Sequence, residues 1–241
     1  MYVTIIVKFG GNMKIYKIVI LFIFACLGSY FIYDFIAVKK GMEYIDLSKA
    51  KKLMIVAHPD DESFWGGAHL IDDDYLVVCI TCGGNRKRVK EFKKVMKNTN
   101  DQYMMLGYPD VILGVRSDWS KQENEIYNDL EKVMLSKKWE LIVTHNEEGE
   151  YGHIHHKKTN KIVTEIYETN KLKNDFYYFG TYYTKRNLIN YEKYLNELPK
   201  EKYELKKKKM IDIYDSQEKA RKMFDHMFPY EMWKKYEKSI A

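Results

Sequence analysis

The chain has 241 residues, 40 Lys+Arg against 34 Asp+Glu, and three cysteines. At a typical domain length of roughly 150 residues, this fits one domain plus an appendage. A composition of 46% hydrophobic and 31% charged residues excludes a disordered or collagen-like chain. Three scattered cysteines exclude a disulfide-dense scaffold and any four-cysteine zinc module. The excess of +6 sits around the N-terminal apolar stretch and in the run Lys206-Lys207-Lys208-Lys209. Aromatic and basic residues do not interleave as a single-strand groove requires, so no nucleic-acid partner is expected.

Ile18 to Tyr33 is sixteen residues without a charge, flanked by Lys14 and Lys17 on one side and Lys39 and Lys40 on the other. No A-x-A site follows it, so residues 1–40 read as an uncleaved N-terminal membrane anchor, with a processed signal and a secreted protein as the alternative. The lysine balance tilts the remainder of the chain to the extracytoplasmic side. Met13 makes a compact start to the basic flank.

From Lys51 onward, strands and helices alternate. Continuous apolar runs at 53–57, 75–81, 141–144 and 176–182, with a weaker one at 103–106, read as parallel strands covered on both faces. Helical spacing appears over 89–97, 123–134 and 155–168. Strand, crossover helix, strand implies a doubly wound, mostly parallel α/β sheet with helices on both faces. The stretch around 204–213 reads as a peripheral hairpin, 216–228 as a last helix, and 229–241 as a tail outside a domain spanning 51–228.

The chemistry gathers at two strand ends. The first strand runs into His58-Pro59-Asp60-Asp61-Glu62, and acids there can cap the next helix or meet a ligand. The strand at 141–144 runs into His145-Asn146 and a glycine-punctuated loop ending in His153-Ile154-His155-His156. Four of the seven histidines lie between 145 and 156, and His153 and His156 share one face at a helix start. Two histidines and one carboxylate with an open position make a catalytic zinc arrangement, suited to hydrolysis of an amide or ester. Cys79-x-x-Cys82 lacks the following helix of a redox pair, and no G-x-G-x-x-G follows the first strand.

Ala57-His58-Pro59-Asp60-Asp61-Glu62, followed much later by Gly152-His153-Ile154-His155-His156, resembles the PIG-L/LmbE-like family of N-acetylglucosaminyl de-N-acetylases. The resemblance implies a Rossmann-like fold and Zn2+ (or another divalent metal) held by His58, Asp61 and His156. It implies Asp60 as general base, His153 as oxyanion stabiliser and acid, and an N-acetylated amino-sugar substrate. Arg88, with Arg86 as an equal rival, and Asp110 correspond to substrate-binding positions, and Tyr214-Asp215-Ser216-Gln217 to an architectural element. The family commonly has Pro-Asp where this chain has Ile154-His155. That Asp orients the acid histidine, so His155, Glu148 or Glu150 is expected to replace it, with a changed pH profile. A hydrolase of a different amide and a silent glycan-binding domain are the competing readings.

Overall fold

The computed structural model describes residues 19–25, 28 and 47–238. Six strands form one sheet in the order β3-β2-β1-β6-β7-β8. They are β1 (Lys52–Val56), β2 (Tyr75–Thr81), β3 (Gln102–Tyr108), β6 (Leu141–Thr144), β7 (Asp175–Phe179) and β8 (Trp233–Lys235). β1, β2, β3, β6 and β7 pair in parallel, and β8 runs antiparallel to β7. Two two-residue strands, β4 (Val111–Ile112) and β5 (Val115–Arg116), make a separate hairpin.

Alternate residues of each buried strand feed two cores. Leu53, Ile55, Leu76, Val78 and Ile142 face α3 (Glu123–Leu135) and α4 (Ile154–Thr169). Met54, Val56, Val77, Cys79 and Val143 face α1 (Asp61–Asp72), α2 (Arg86–Thr99) and the C-terminal segments. Both faces of the sheet are thus covered, the condition under which continuous apolar runs are stable as parallel strands. Cys79 and Cys82 are free thiols.

The strand order reverses between β1 and β6, where the crossovers diverge to opposite sides. Such a reversal opens a crevice at the carboxyl ends of the two strands. Ile55 pairs with Thr144, so His58 and His145 emerge at the same edge.

Three segments differ from the sequence reading. The expected hairpin at 204–213 is instead the helix α6 (Lys200–Lys209), followed by a 3-10 turn. Its Lys206 is fully buried and donates to the Phe64 and Phe228 carbonyls and to Glu231 at 2.8 Å. The expected tail from 229 continues into the sheet as β8, because Glu231 anchors it. The Glu231 carboxylate accepts the N–H groups of Ala68 and His69, at 2.9 and 3.0 Å. A buried acid with a buried cation has no signature in hydropathy, which is why this segment reads as solvated. The stretch read as a last helix, 216–228, is broken: only α7 (Glu218–Phe224) is α-helical, between two 3-10 turns.

Most of the stretch read as an anchor, 1–40, lies outside the described residues. Residues 19–25 are helical, with exposed apolar side chains. Among the described residues no helix is long and apolar enough to cross a membrane.

Candidate metal centre and active site

His58 leaves β1 and is followed by a sharp turn. Asp60 carries it with φ of 122°, a region L residues rarely adopt and one that stores strain at functional sites. The Asp60 N–H donates to Glu62 Oε2 at 2.9 Å, while its carbonyl accepts from Ser63 and Phe64 and starts α1. Neither acid is a simple helix cap. The Asp60 side chain makes no capping bond. Asp61 accepts the His58 N–H at 2.8 Å and faces the histidines.

Three donors meet there. His58 Nδ1 lies 3.3 Å from Asp61 Oδ2, His156 Nε2 lies 3.3 Å from Asp61 Oδ1, and the two nitrogens are 3.3 Å apart. A tetrahedral shell with zinc bonds of about 2.0–2.1 Å has edges of about 3.3–3.4 Å. The two imidazole nitrogens stand at that edge length, and the Asp61 carboxylate faces both, one oxygen to each, so the donor set suits a small divalent ion.

The loop between β6 and α4 positions His156. Gly149, Glu150 and Gly152 all have positive φ (65°, 54° and 95°), and the two glycines adopt it without a Cβ penalty. The turn tucks the Glu150 carboxylate inward. Its Oε2 lies 2.9 Å from His145 Nδ1 and 2.5 Å from His156 Nδ1, and its Oε1 accepts the Asn146 N–H at 2.9 Å. Burial opposes charge on both partners. Even so, the imidazoles hold Glu150 at about 2, and the Asp61 and Glu150 carboxylates lift His156 to about 10. The pocket is built to hold a positive charge.

His145 is a third imidazole within reach, 3.4 Å from Asp61 Oδ2. It is not free to ligate. Its Nε2 accepts the Ala57 N–H at 3.0 Å, which occupies the ring's single lone pair. His145 therefore carries its proton on Nδ1 and donates it to Glu150. The sequence placed His145 in the cluster but gave it no role, and its backbone contact with β1 is a product of tertiary pairing.

Asp60 is 6% exposed. Burial raises its pKa well above the ordinary value, with the Arg88 guanidinium opposing from 3.5 Å. Arg88 also donates to the Pro59 carbonyl and is itself buried, so in this structure it braces the turn and Asp60. Asp110 comes from the β4–β5 hairpin. It lies 3.6 Å from His58 Nε2 and is held by Arg116 at 2.6 Å. Burial opposes its charge, yet His58 and Arg116 bring it down to about 2.

His153 caps α4. Its Nδ1 accepts the His155 N–H at 3.2 Å, so the neutral ring carries its proton on Nε2. Burial, with His58 and His156 nearby, pushes it down to about 2. This corrects the expected replacement for the missing Asp. No side chain of Glu148, Glu150 or His155 orients His153; the backbone of residue 155 does. Glu150 instead serves His145 and His156, and Glu148 is exposed 3.9 Å from Lys157. The His155 ring lies against Trp119, centroids 4.1 Å apart and 3° from parallel. Its Nε2 meets the Ser117 carbonyl at 2.6 Å, and burial holds its pKa at about 4. Tyr214 and Ser216 are architectural. The Tyr214 hydroxyl donates to Glu62 at 2.6 Å, and Ser216 donates to Glu91 through its N–H at 2.8 Å and its hydroxyl at 2.5 Å.

The sequence profile of the GlcNAc-PI de-N-acetylase (PIG-L) family matches residues 53–167, a range that contains His58, Asp61 and His156. An uncharacterized protein of Acanthamoeba polyphaga mimivirus is 31% identical over 191 residues, covering 72% of this chain and 75% of that protein. The chain belongs to the PIG-L family. In structure it is similar to N,N'-diacetylchitobiose deacetylase from Pyrococcus horikoshii, with a TM-score of 0.58 at 16% identity, over 79% of this chain and 85% of that one. It is also similar to the zinc-inhibited form of teicoplanin deacetylase, with a TM-score of 0.53 at 13% identity, over 78% of this chain and 100% of that one. At these identities the likeness establishes the mostly parallel α/β fold of this PIG-L chain.

Proposed function

We propose that this PIG-L chain is a metal-dependent N-deacetylase that hydrolyses the acetamide of an N-acetylglucosamine-type sugar carried on a glycoconjugate. The observation that carries the reading is the convergence of His58 Nδ1 and His156 Nε2, 3.3 Å apart, on the Asp61 carboxylate, one oxygen 3.3 Å from each nitrogen, with Asp60 preceding Asp61 on the same turn. His58, Asp61 and His156 would hold the ion. Once bound, a Zn2+ ion supplies Lewis acidity toward the acetyl carbonyl and lowers the pKa of water.

The chain's own residues do the rest. Asp60, with its pKa raised by burial, takes a proton from the attacking water. His153 is neutral and presents Nε2–H as a hydrogen-bond donor to the developing oxyanion. A ring held at about 2 is a poor proton reservoir, so the proton on Asp60 is the one delivered to the departing nitrogen. Acetate and the free amine leave. Asp110 and Arg116 rim the site from the hairpin and suit sugar hydroxyls. A cleft of about 190 Å³ has Asn146, the neighbour of His145, in its wall beside Trp65, Tyr183, Tyr230 and Trp233, and these aromatic faces suit further sugar rings.

The substrate in this reading is borne on lipid or presented at a membrane, with residues 1–40 as anchor, 51–228 as the body of the deacetylase and the site outside the cytoplasm. The hairpin supports it. Val111, Ile112, Leu113 and Val115 are all exposed, Leu113 at 99%, on the same hairpin that carries Asp110 and Arg116. Aliphatic tips of this kind suit an acyl-chain interface.

The test is acetate release by the zinc-loaded chain from N-acetylglucosamine, its short oligomers and an N-acetylglucosaminyl lipid, beside a chelated control and Asp60→Asn. We expect metal-dependent release from at least one substrate, and an Asp60→Asn protein that binds zinc without turnover. Full turnover by Asp60→Asn would remove the base assignment. Silence on every substrate with zinc bound would remove the acetyl-sugar reading.

A further inference from the structure

The residue that departs from the family's usual motif, His155, has a partner of its own. Its Nε2 faces the Ser117 carbonyl at 2.6 Å, and a carbonyl can only accept, so Nε2 carries the proton. Neutral His155 then has a bare Nδ1, and the group facing it at 3.0 Å is Nε2 of His58. A bare nitrogen requires a donor opposite, so His58 is protonated on Nε2 and its own Nδ1 is left bare. That nitrogen is the one 3.3 Å from both Asp61 and His156.

We propose that His155 is the positioning residue of the metal ligand His58, fixing the tautomer that turns Nδ1 toward the ion. The relay runs from the Ser117 carbonyl through His155 to His58. It is rigid because Trp119 stacks flat on His155 and donates its own Nε1–H to the Pro109 carbonyl at 2.7 Å. Asp110 is the competing acceptor for the His58 proton. It is farther away, at 3.6 Å, and its Oδ1 is already held by Arg116 at 2.6 Å. The same guanidinium disfavours a second cation among His58, His155 and Asp110, although their donor atoms lie within 4.8 Å of one another. A metal-bound histidine commonly donates its outer N–H to a carboxylate or carbonyl. Here a neutral imidazole takes that place for His58, whereas Glu150 takes it for His156.

The inference rests on the metal-centre reading, and the experiments separate the two. In 15N-resolved imidazole spectra of the full wild-type chain, His58 Nε2 is expected to be protonated both without metal and with zinc, and zinc is expected to shift Nδ1. A bare or zinc-shifted Nε2 overturns the proposal. If the chain takes up no zinc, the metal-centre reading fails, while the metal-free spectrum still decides the tautomer. Zinc affinity by chelator competition gives the second readout. His155→Phe keeps a ring on Trp119 but has no acceptor, and is expected to bind zinc about 10–100-fold more weakly. His155→Asn returns an acceptor near the Nδ1 position and is expected to recover all but about threefold of the affinity. Wild-type affinity in His155→Phe, or two zinc ions per wild-type chain, overturns it. Should His155→Phe fail to fold, the wild-type spectra carry the decision alone.

Discussion

Glu150 holds two imidazoles of the candidate metal centre from outside the proposed ligand set, so Glu150→Gln is an informative perturbation. The change is nearly isosteric. In the native chain the carboxylate faces three donors: His145 Nδ1–H, His156 Nδ1–H and the Asn146 N–H. A glutamine has one acceptor oxygen and one donor amide. If its oxygen stays on the two imidazoles, its NH2 confronts the Asn146 N–H; if it flips, the NH2 confronts both imidazoles. Either way at least one buried donor loses its acceptor, which costs about 1–3 kcal/mol. A second route to the magnitude is the pKa of Glu150, about 2 against the ordinary 4.5. Roughly 2.5 units at about 1.4 kcal/mol each give about 3 kcal/mol. The elevation of His156 to about 10 reports the same attraction from the other side and is counted once.

The sign follows from the direction of the shift. Glu150 is depressed in the fold, so its contribution is fully present above about pH 4.5 and is lost as pH falls through about 2. The metal-free wild type should therefore exceed Glu150→Gln in urea stability by about 1–3 kcal/mol at pH 7, and the gap should close toward pH 2. Zinc affinity should fall about 10–100-fold, because His156 loses the carboxylate that aligns its Nε2 and strengthens it as a donor. Competition with a chelator of known affinity measures the second effect independently of the first. Equal zinc affinity and equal stability at pH 7 would refute the account of the loop.

Three further outcomes are expected. Asp101 accepts the Tyr75 N–H through Oδ1 at 2.9 Å, but its Oδ2 is buried without a partner, and burial raises its pKa to about 7. A raised carboxyl stabilises the fold at low pH and loses that contribution as pH rises from about 4 through 7. The stability of Asp101→Asn relative to wild type should thus increase by up to about 4 kcal/mol between pH 4 and pH 8, and urea midpoints that move in parallel would refute it. Glu231→Ala leaves Lys206 as a buried cation without its carboxylate and should cost about 3–5 kcal/mol in urea unfolding, whereas a loss under 1 kcal/mol would refute the clamp. Leu113→Asp should leave stability within about 0.5 kcal/mol yet lower kcat/KM for an N-acetylglucosaminyl lipid and not for a water-soluble N-acetyl sugar; equal effects on both would remove the hairpin from lipid contact.

The sheet was legible in the sequence because its strands are buried on both faces. Val77, Val78 and Cys79 feed opposite cores yet all read as apolar, and such continuous apolar runs stand out against the amphipathic helices between them. The convergence of His58, Asp60, Asp61, His153 and His156 was legible because each sits within a few residues of a strand or helix end. Long-range polar partners were not legible. Lys206 and Glu231 are 25 residues apart, and each alone looks like a solvated charge. Ser117 contributes a backbone carbonyl, so its contact with His155 has no side-chain signature at all. The fate of the missing Asp was misread for the same reason. The backbone N–H of His155 does that work for His153, and this freed the side chain at 155 to serve another histidine.

The charges around the ion position bear on which ion the site selects. The Asp60 and Arg88 charges face one another at 3.5 Å, and those of Asp110 and Arg116 at 2.6 Å, so neither pair leaves a net charge at the centre. The oxygens of Glu62 are occupied by Ser63, Tyr214 and the Asp60 N–H. Asp61 and Glu150 remain, two negative charges on either side of His156, and their sum matches a divalent cation. Without metal, one of those charges is met by a proton on His156, which is the meaning of its elevation to about 10. An aspartate at position 155 would add a third negative charge to this cluster and would make an ion held there a weaker Lewis acid. A neutral histidine there meets His58 Nε2 and omits the charge. The substitution in the motif is therefore compatible with the proposed reaction on electrostatic grounds, since it would leave the positive charge of an ion held by His58, Asp61 and His156 less fully neutralised.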